Sequence, residues 1–275
     1  MKIGVFGLGI IGSIWGENLR KDGHDVRGWN RTPKPLSWFV ASARDVAKDA
    51  EIIFIVVADP PAVQNVLDRI LPVLHSDQVA IQSSTISPKA TLDFARQVQK
   101  TGAAFLEAPF TGSKPAAEQR KTVFYIGGDE KVLEKARPVL ERLASSILHA
   151  GMLGRASALK LAMNMNIALI AQALSESLTF ARAAGISDDT YFEALKLNAS
   201  NSGLAALKEP KLRANDFSPQ FSLKHMAKDL RFALETACDL KLPQTQNVMR
   251  IYEEGLQRGW GENDFTVLAQ LLEQP

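Results

Sequence analysis

Over the first 150 residues, short apolar runs alternate with stretches of helical periodicity. The runs are "KIGVFG" at 2–7, "HDVRGWN" at 24–30, "EIIFIVV" at 51–57, "QVAIQSS" at 78–84 and "AAFLEAP" at 103–109. Between them lie "IIGSIWGENLRKDG", "PPAVQNVLDRILPVL" and "SPKATLDFARQVQKTG". A run such as "IIFIVV" is apolar at every position rather than at alternate ones, as expected of a parallel strand covered by helices on both faces. The pattern predicts a doubly wound α/β domain. Two more strands, "TVFYIGG" at 122–128 and "SSILHAG" at 145–151, flank a helix at about 129–143 and extend the sheet. The connection from Thr32 to Glu51 is short, which predicts a reduced helix between the second and third strands.

After Gly154 the strand pattern stops. Helices are predicted at 156–184, 188–197, 202–213, 220–240 and 243–257, punctuated by Gly185, Pro210, Pro219, Pro243 and Gly259. The chain therefore reads as an α/β domain at 1–154 followed by an all-α domain at 155–275. The first of these helices contains "SALKLAMNMNIALIAQAL" at 157–174, whose one charge is Lys160, with Asn164 four positions on. At 3.6 residues per turn both project from the same helix face. A charge in such a run is costly unless paired, or unless the side chain carries it to solvent.

A length of 275 residues accommodates two domains. The 32 Lys and Arg against 30 Asp and Glu give a formal net charge of +2, which argues against nucleic acid or an anionic membrane as the main partner. Cys238 is the one cysteine, so an intramolecular disulfide is excluded and no metal site is assigned. The apolar segment at 161–171 is interrupted by asparagines and reads as too short to span a bilayer. The opening residues read directly into a strand, so no secretory leader is expected, and a cytoplasmic location is.

Candidate chemistry begins with "GLGIIG" at 7–12, which follows the first strand and opens the first helix. Gly7 allows a tight turn, Gly9 a close approach to a pyrophosphate, and Gly12 close packing of helix on strand. This is the fingerprint of a Rossmann-type dinucleotide site, with the phosphates at the helix N-terminus. Where an NAD site places an acid at the end of the second strand, this chain has Asn30, Arg31 and Thr32, with Lys34 shortly after. A neutral amide does not repel a 2′-phosphate and a guanidinium can grip one, so NADP(H) is the expected cofactor.

Taken together, "GLGIIG", "NRT", "SSTISP" at 83–88, "EAPFTGSKPAA" at 107–117, "GRASALKLAMN" at 154–164 and "FSLKHMAKDL" at 221–230 resemble the β-hydroxyacid dehydrogenases. Within that family the chain is most similar to the glyoxylate and succinic semialdehyde reductases. The resemblance implies that Lys160 is the catalytic acid/base. It also implies that Asn164 and the turn Thr111, Gly112 and Ser113 hold the substrate carboxylate, that Phe221 forms a pocket wall, and that Asp229 supports the substrate site. Cofactor contacts fall on Gly7, Leu8, Gly9, Ile10, Ile11, Gly12, Asn30, Arg31, Thr32, Val57, Ala58, Thr85 and Lys228.

The chemistry agrees with these roles. Hydride reduction of a carbonyl leaves an alkoxide that needs a placed proton donor, and a lysine desolvated by Leu and Met is expected to titrate nearer the working pH. Thr111 stands where the family usually has serine, and Ala156 where it commonly has glycine just before the lysine. The implied reaction is NADPH-dependent reduction of small aldehyde or keto acids by a homodimer or homotetramer. Alternatives are a 3-hydroxyisobutyrate- or tartronate semialdehyde-type dehydrogenase, an imine reductase, or a non-catalytic cofactor-binding scaffold.

Overall fold

A computed structural model describes residues 1–272 of the chain. The chain divides into two compact units, Met1–Lys160 and a second beginning at Leu161. The division falls within the long helix that the sequence assigned to the second domain from 155 onward.

The first unit runs β1 (Lys2–Phe6), α1 (Ile10–Lys21), β2 (Asp25–Trp29), α2 (Ala43–Ala47), β3 (Ile52–Ile55), α3 (Pro60–Ile70), β4 (Val79–Gln82), α4 (Pro88–Gln99), β5 (Ala104–Glu107), β6 (Phe110–Thr111), α5 (Lys114–Glu118), β7 (Thr122–Gly127), α6 (Glu130–Leu140) and β8 (Ala144–Gly151). The strand order is β2-β1-β3-β4-β5-β7-β6, with β8 also on β7. The first five strands are parallel, β7 runs antiparallel to β5 and β6, and β8 is parallel to β7.

Successive residues of the central strands enter opposite cores, which is why these runs are apolar throughout. Ile52 and Phe54 belong to one core with Ile3, Val5, Val79, Ile81 and Leu106; Ile53 and Ile55 belong to the other with Phe6, Ala80 and Phe105. Helices α3 and α4 begin where Asp59 and Ser87 accept hydrogen bonds from Ala62 N–H and Ala90 N–H, each with proline in the first turn.

The reduced helix expected between β2 and β3 is α2, of five residues. The chain ahead of it folds back along β2: Gly28 N–H donates to the Trp38 carbonyl at 2.9 Å and Val40 N–H to the Gly28 carbonyl at 2.8 Å. The Trp38 ring fills the space above two glycines, where a Cβ on Gly16 or Gly28 would stand 2.3 Å from it.

The second unit is helical. Helix α7 (Arg155–Ala183) begins in the first unit, and its residues from 161 onward join α8 (Asp188–Leu197), α9 (Gly203–Ala214), α10 (Leu223–Ala237), α11 (Pro243–Gln257) and a 3₁₀ segment at Phe265–Leu271. Ala168 and Ala171 pack with Leu223, Leu230, Tyr252 and Phe265, while Leu174 and Leu178 pack with Phe192 and Leu212. By length and composition alone α7 is sufficient to cross a bilayer, longer than the 161–171 run suggested. These packed contacts make it the core helix of the second unit.

Helix α10 starts at Leu223 rather than at 220. Ser222 is extended, with φ −73° and ψ 149°, and bridges antiparallel to Asp264, whose Oδ2 accepts the N–H groups of Gln220 and Phe221 at 2.9 and 3.2 Å, so the chain ahead of Leu223 is tied to Asp264 as extended backbone.

Candidate active site

In parallel α/β sheets ligands collect outside the carboxyl ends of the strands. In the first unit that is where the expected residues lie. Residues 7–12 follow β1, Asn30, Arg31 and Thr32 follow β2, Val57 and Ala58 follow β3, Thr85 follows β4, and residues 111–113 lie just past β5. Strand β1 sits between β2 and β3, so the glycine turn stands at the point where strand order reverses.

The three glycines are required for different reasons. Gly7 has φ +102°, and a Cβ there would lie 2.1 Å from the Val56 carbonyl oxygen; a Cβ on Gly12 would lie 2.0 Å from the Gly7 carbonyl oxygen. Both positions exclude any other residue. Gly9 has open space where its Cβ would be, and it begins α1 without a side-chain cap. The first turn thus keeps its N–H groups uncapped by a side chain beside a clear approach, which fits a pyrophosphate. Leu8 and Gly12 are buried, Ile11 is half-buried, and Gly9 and Ile10 are exposed.

Asn30 takes a structural part beyond its neutrality. Its Oδ1 accepts Leu8 N–H at 3.1 Å and its Nδ2 donates to the Thr32 carbonyl at 2.8 Å, tying the glycine turn to the segment that carries Arg31. Arg31, Thr32 and Lys34 are exposed. Val57 N–H donates to Ser84 Oγ at 2.9 Å, fixing the loop after β3 against the loop after β4. Thr111 pairs with Val123 at the sheet edge in β6. Gly112 has φ +117° and Ser113 begins α5 with its hydroxyl uncommitted as a cap.

Lys160 is 8% exposed, with Ser157 and Ala156 one turn before it at 1% and 0%. The start of α7 is gripped by Glu107, which ends β5 with 0% exposure. Its Oε1 accepts Ala156 N–H and its Oε2 accepts Ser157 N–H, both at 3.0 Å, and Oε2 also accepts the Ser157 hydroxyl. Ser157 Oγ lies 2.8 Å from Thr91 Oγ1 on α4. Burial pushes the Glu107 carboxyl above the usual carboxylate range, with the Ser157 hydroxyl and the N–H donors of the helix start pulling against it.

In the second unit Asn164 is 3% exposed and its Nδ2 donates to Asp229 Oδ2 at 2.6 Å. Asp229 is 1% exposed. Its Oδ1 receives no aligned hydrogen bond but lies 2.9 Å from Lys228 Nζ, an ion pair. Asn164, Lys228 and Asp229 are thereby brought together. Phe221 stands just ahead of α10, its ring stacked on His225 with centroids 6.1 Å apart and edge-on to Phe265 at 6.4 Å.

Residues 2–151 match the family described as the NAD-binding domain of 6-phosphogluconate dehydrogenase, and residues 154–272 that described as NAD-binding of NADP-dependent 3-hydroxyisobutyrate dehydrogenase. The chain is 31% identical to 2-hydroxy-3-oxopropionate reductase of Escherichia coli, over 99% of this chain and 97% of the relative. The chain belongs to the β-hydroxyacid dehydrogenase family. It is 29% identical to glyoxylate/succinic semialdehyde reductase 2, chloroplastic, of Arabidopsis thaliana, over 99% of this chain and 79% of that protein. Among solved structures it is similar to Mycobacterium tuberculosis 3-hydroxyisobutyrate dehydrogenase with L-serine, at a TM-score of 0.91, 26% identity and 99% coverage of both chains. As a β-hydroxyacid dehydrogenase it is an oxidoreductase that uses a nicotinamide cofactor.

Three residues of this β-hydroxyacid dehydrogenase escaped the sequence reading. Glu107 was visible as a charge closing the apolar run "AAFLE". Lys208 lies on the Leu204, Lys208, Leu212 stripe of α9, where a four-residue spacing places it with the apolar side chains. Asp264 accepts both N–H and hydroxyl of Thr266 two residues on, a local turn pattern common to many loops.

Proposed function

We propose that this chain is an NADPH-dependent reductase of small carboxylate-bearing aldehydes and keto acids, such as glyoxylate, succinic semialdehyde or 2-hydroxy-3-oxopropionate. The observation that carries the reading is the burial of Lys160 with Asn164 one turn along the same helix. When bound, the nicotinamide cofactor supplies the hydride that converts the carbonyl to an alkoxide. The Lys160 ammonium then gives its proton to that oxygen and recovers one from solvent, yielding the hydroxy acid. Thr111, Gly112 and Ser113 offer hydroxyls and backbone N–H groups to the carboxylate, and Asp229 fixes the Asn164 amide. Phe221 supplies an apolar wall. The names of the Escherichia coli and Arabidopsis relatives support the substrate class, and L-serine in the mycobacterial structure is itself a 3-hydroxy acid.

The preference for NADPH rests on Asn30, whose amide replaces an acid and holds Arg31 and Thr32 beside the glycine turn. Self-association into a homodimer or homotetramer is part of the reading, supported by Phe180 of α7 at 76% exposure. So is a cytoplasmic location, supported by the lone free thiol of Cys238.

The test is a panel of these acids and size-matched neutral aldehydes assayed with both cofactors. kcat/KM should favour NADPH by about tenfold or more, roughly 1.4 kcal/mol, and Arg31→Ala should lose much of that preference. Lys160→Ala should cut kcat by about a hundredfold while NADPH still binds. Reduction should fall as pH rises and alcohol oxidation as pH drops, because one needs the ammonium and the other the amine. Equal rates with butanal and succinic semialdehyde, or a Lys160→Ala enzyme with ordinary rates, would overturn the proposal.

A further inference from the structure

We infer that Glu107 is a positioning residue for the proton donor: its buried carboxylate seats the first turn of α7 and so sets where Lys160, one turn further on, presents its ammonium. The inference rests on the acid/base role proposed for Lys160. Helix α7 needs partners for the N–H groups of its first turn. It finds them 49 and 50 residues back in the chain, at the end of β5. Each carboxylate oxygen takes one N–H, which fixes the rotation of the helix about its axis as well as its height. A one-point contact would not do this.

Two further observations show a seat built for this group. Gly127, opposite Glu107 in the β5–β7 pairing, leaves the space in which its own Cβ would stand 2.1 Å from Glu107 Oε1. Ser157, whose hydroxyl donates to the same carboxylate, also reaches Thr91 Oγ1, so the seat is braced from α4. Lys160 follows Ser157 by three residues and Ala156 by four, the spacings at which helix side chains share a face. A rotation at the seat is therefore passed directly to the lysine. The strand that ends in Glu107 continues within four residues to Thr111. One strand end thus sets both the donor helix and the turn proposed to bind the substrate carboxylate.

Glu107→Gln keeps the shape but presents an NH2 group to one of the two N–H donors, so one contact must open. We expect kcat to fall about tenfold or more with KM for the acid and affinity for NADPH within about twofold of the parent. Amide exchange at Ala156 and Ser157 should quicken while the rest of α7 stays protected. Gly127→Ala, which leaves Glu107 in place but crowds its carboxylate, should give the same split. A normal kcat in Glu107→Gln overturns the inference, as does a kcat loss in the folded variant that is matched by lost NADPH affinity. Should both of those variants fail to fold, Ser157→Ala decides, with a fall in kcat of about threefold or more supporting the inference and an unchanged kcat overturning it. Lys160→Ala is assayed alongside: ordinary rates there refute the lysine's role, whereas a crippled Lys160→Ala with a normal Glu107→Gln refutes the positioning role alone.

Discussion

Each unit of the molecule buries a carboxylate completely, and the two solve the same problem differently. Glu107 in the sheet unit is held by N–H groups of a helix start and a serine hydroxyl. Asp264 in the helical unit is held by the Lys208 ammonium, 2.9 Å from both oxygens, and by N–H groups of Gln220, Phe221 and Thr266. Burial raises the titration of both. For Glu107 burial prevails; for Asp264 the hydrogen bond and charge of Lys208 outweigh it and hold the carboxyl below its usual range. Lys208 is itself pulled down by burial despite its partner, so the pair is costly to bury and costlier still to break. The contrast matches their surroundings. Glu107 serves one helix end, whereas Asp264 gathers a loop, a helix start and a 3₁₀ segment around one point, where a full opposite charge is the stronger clamp.

The largest consequence concerns Asp264→Ala, which strands an ammonium that is 2% exposed. Unfolding in urea should show a loss of about 3–5 kcal/mol, and a loss below about 1 kcal/mol would mean that Lys208 finds solvent and the clamp is dispensable. Removing both charges as Lys208→Met with Asp264→Leu should recover part of that loss, since no unpaired charge remains, with a coupling energy of about 1–3 kcal/mol in the double-mutant cycle. Strict additivity would dissolve the pair as a unit. Recovery stays partial because the N–H groups of Gln220 and Phe221 lose their acceptor in either case.

The smallest effect is a difference in slope. Glu107 titrates above its ordinary 4.5 in the folded chain, so the stability it contributes is present below that pH and is lost as pH rises through its folded value. Asp264 titrates below its ordinary 3.8, so its contribution is present above that pH and is lost as pH falls through its folded value. Stability measured across pH should therefore lose a decline as pH rises above 4.5 in Glu107→Gln and a decline as pH falls below 3.8 in Asp264→Asn. Slopes of the same sign would erase the distinction.

What the sequence discloses and what it withholds divide along the same line. Periodicity exposes the strands because both faces of β3 and β4 meet apolar cores, and it exposes the glycine turn because Gly7 and Gly12 admit no side chain. The spacing of Lys160 and Asn164 is legible for the same local reason. The two-residue strand β6 carries no periodicity and goes unseen. The partners of Glu107 lie about 50 residues away and those of Asp264 up to 56. Pairings of that range leave no local signature, and so periodicity extends α10 back to 220, three residues ahead of Leu223, where the pairing of Ser222 with Asp264 begins it. Asn30 shows the limit from the other side: its neutrality is legible for what it permits a ligand, while its two hydrogen bonds, which shape the turn, are not.

Trp38 carries a consequence of another kind, for the order in which such a chain can change. A methyl group on Gly16 or Gly28 would strike the indole at 2.3 Å, so the tryptophan forbids even alanine at two positions on two different elements. The reverse constraint does not hold, because a glycine tolerates any smaller neighbour. The dependency runs one way: the glycines are compatible with many residues at 38, but the tryptophan is compatible with little else at 16 and 28. A lineage that shortened the β2 to β3 connection and folded it over the sheet edge would have needed both glycines in hand before the indole arrived. Once it had arrived, neither could be given up singly.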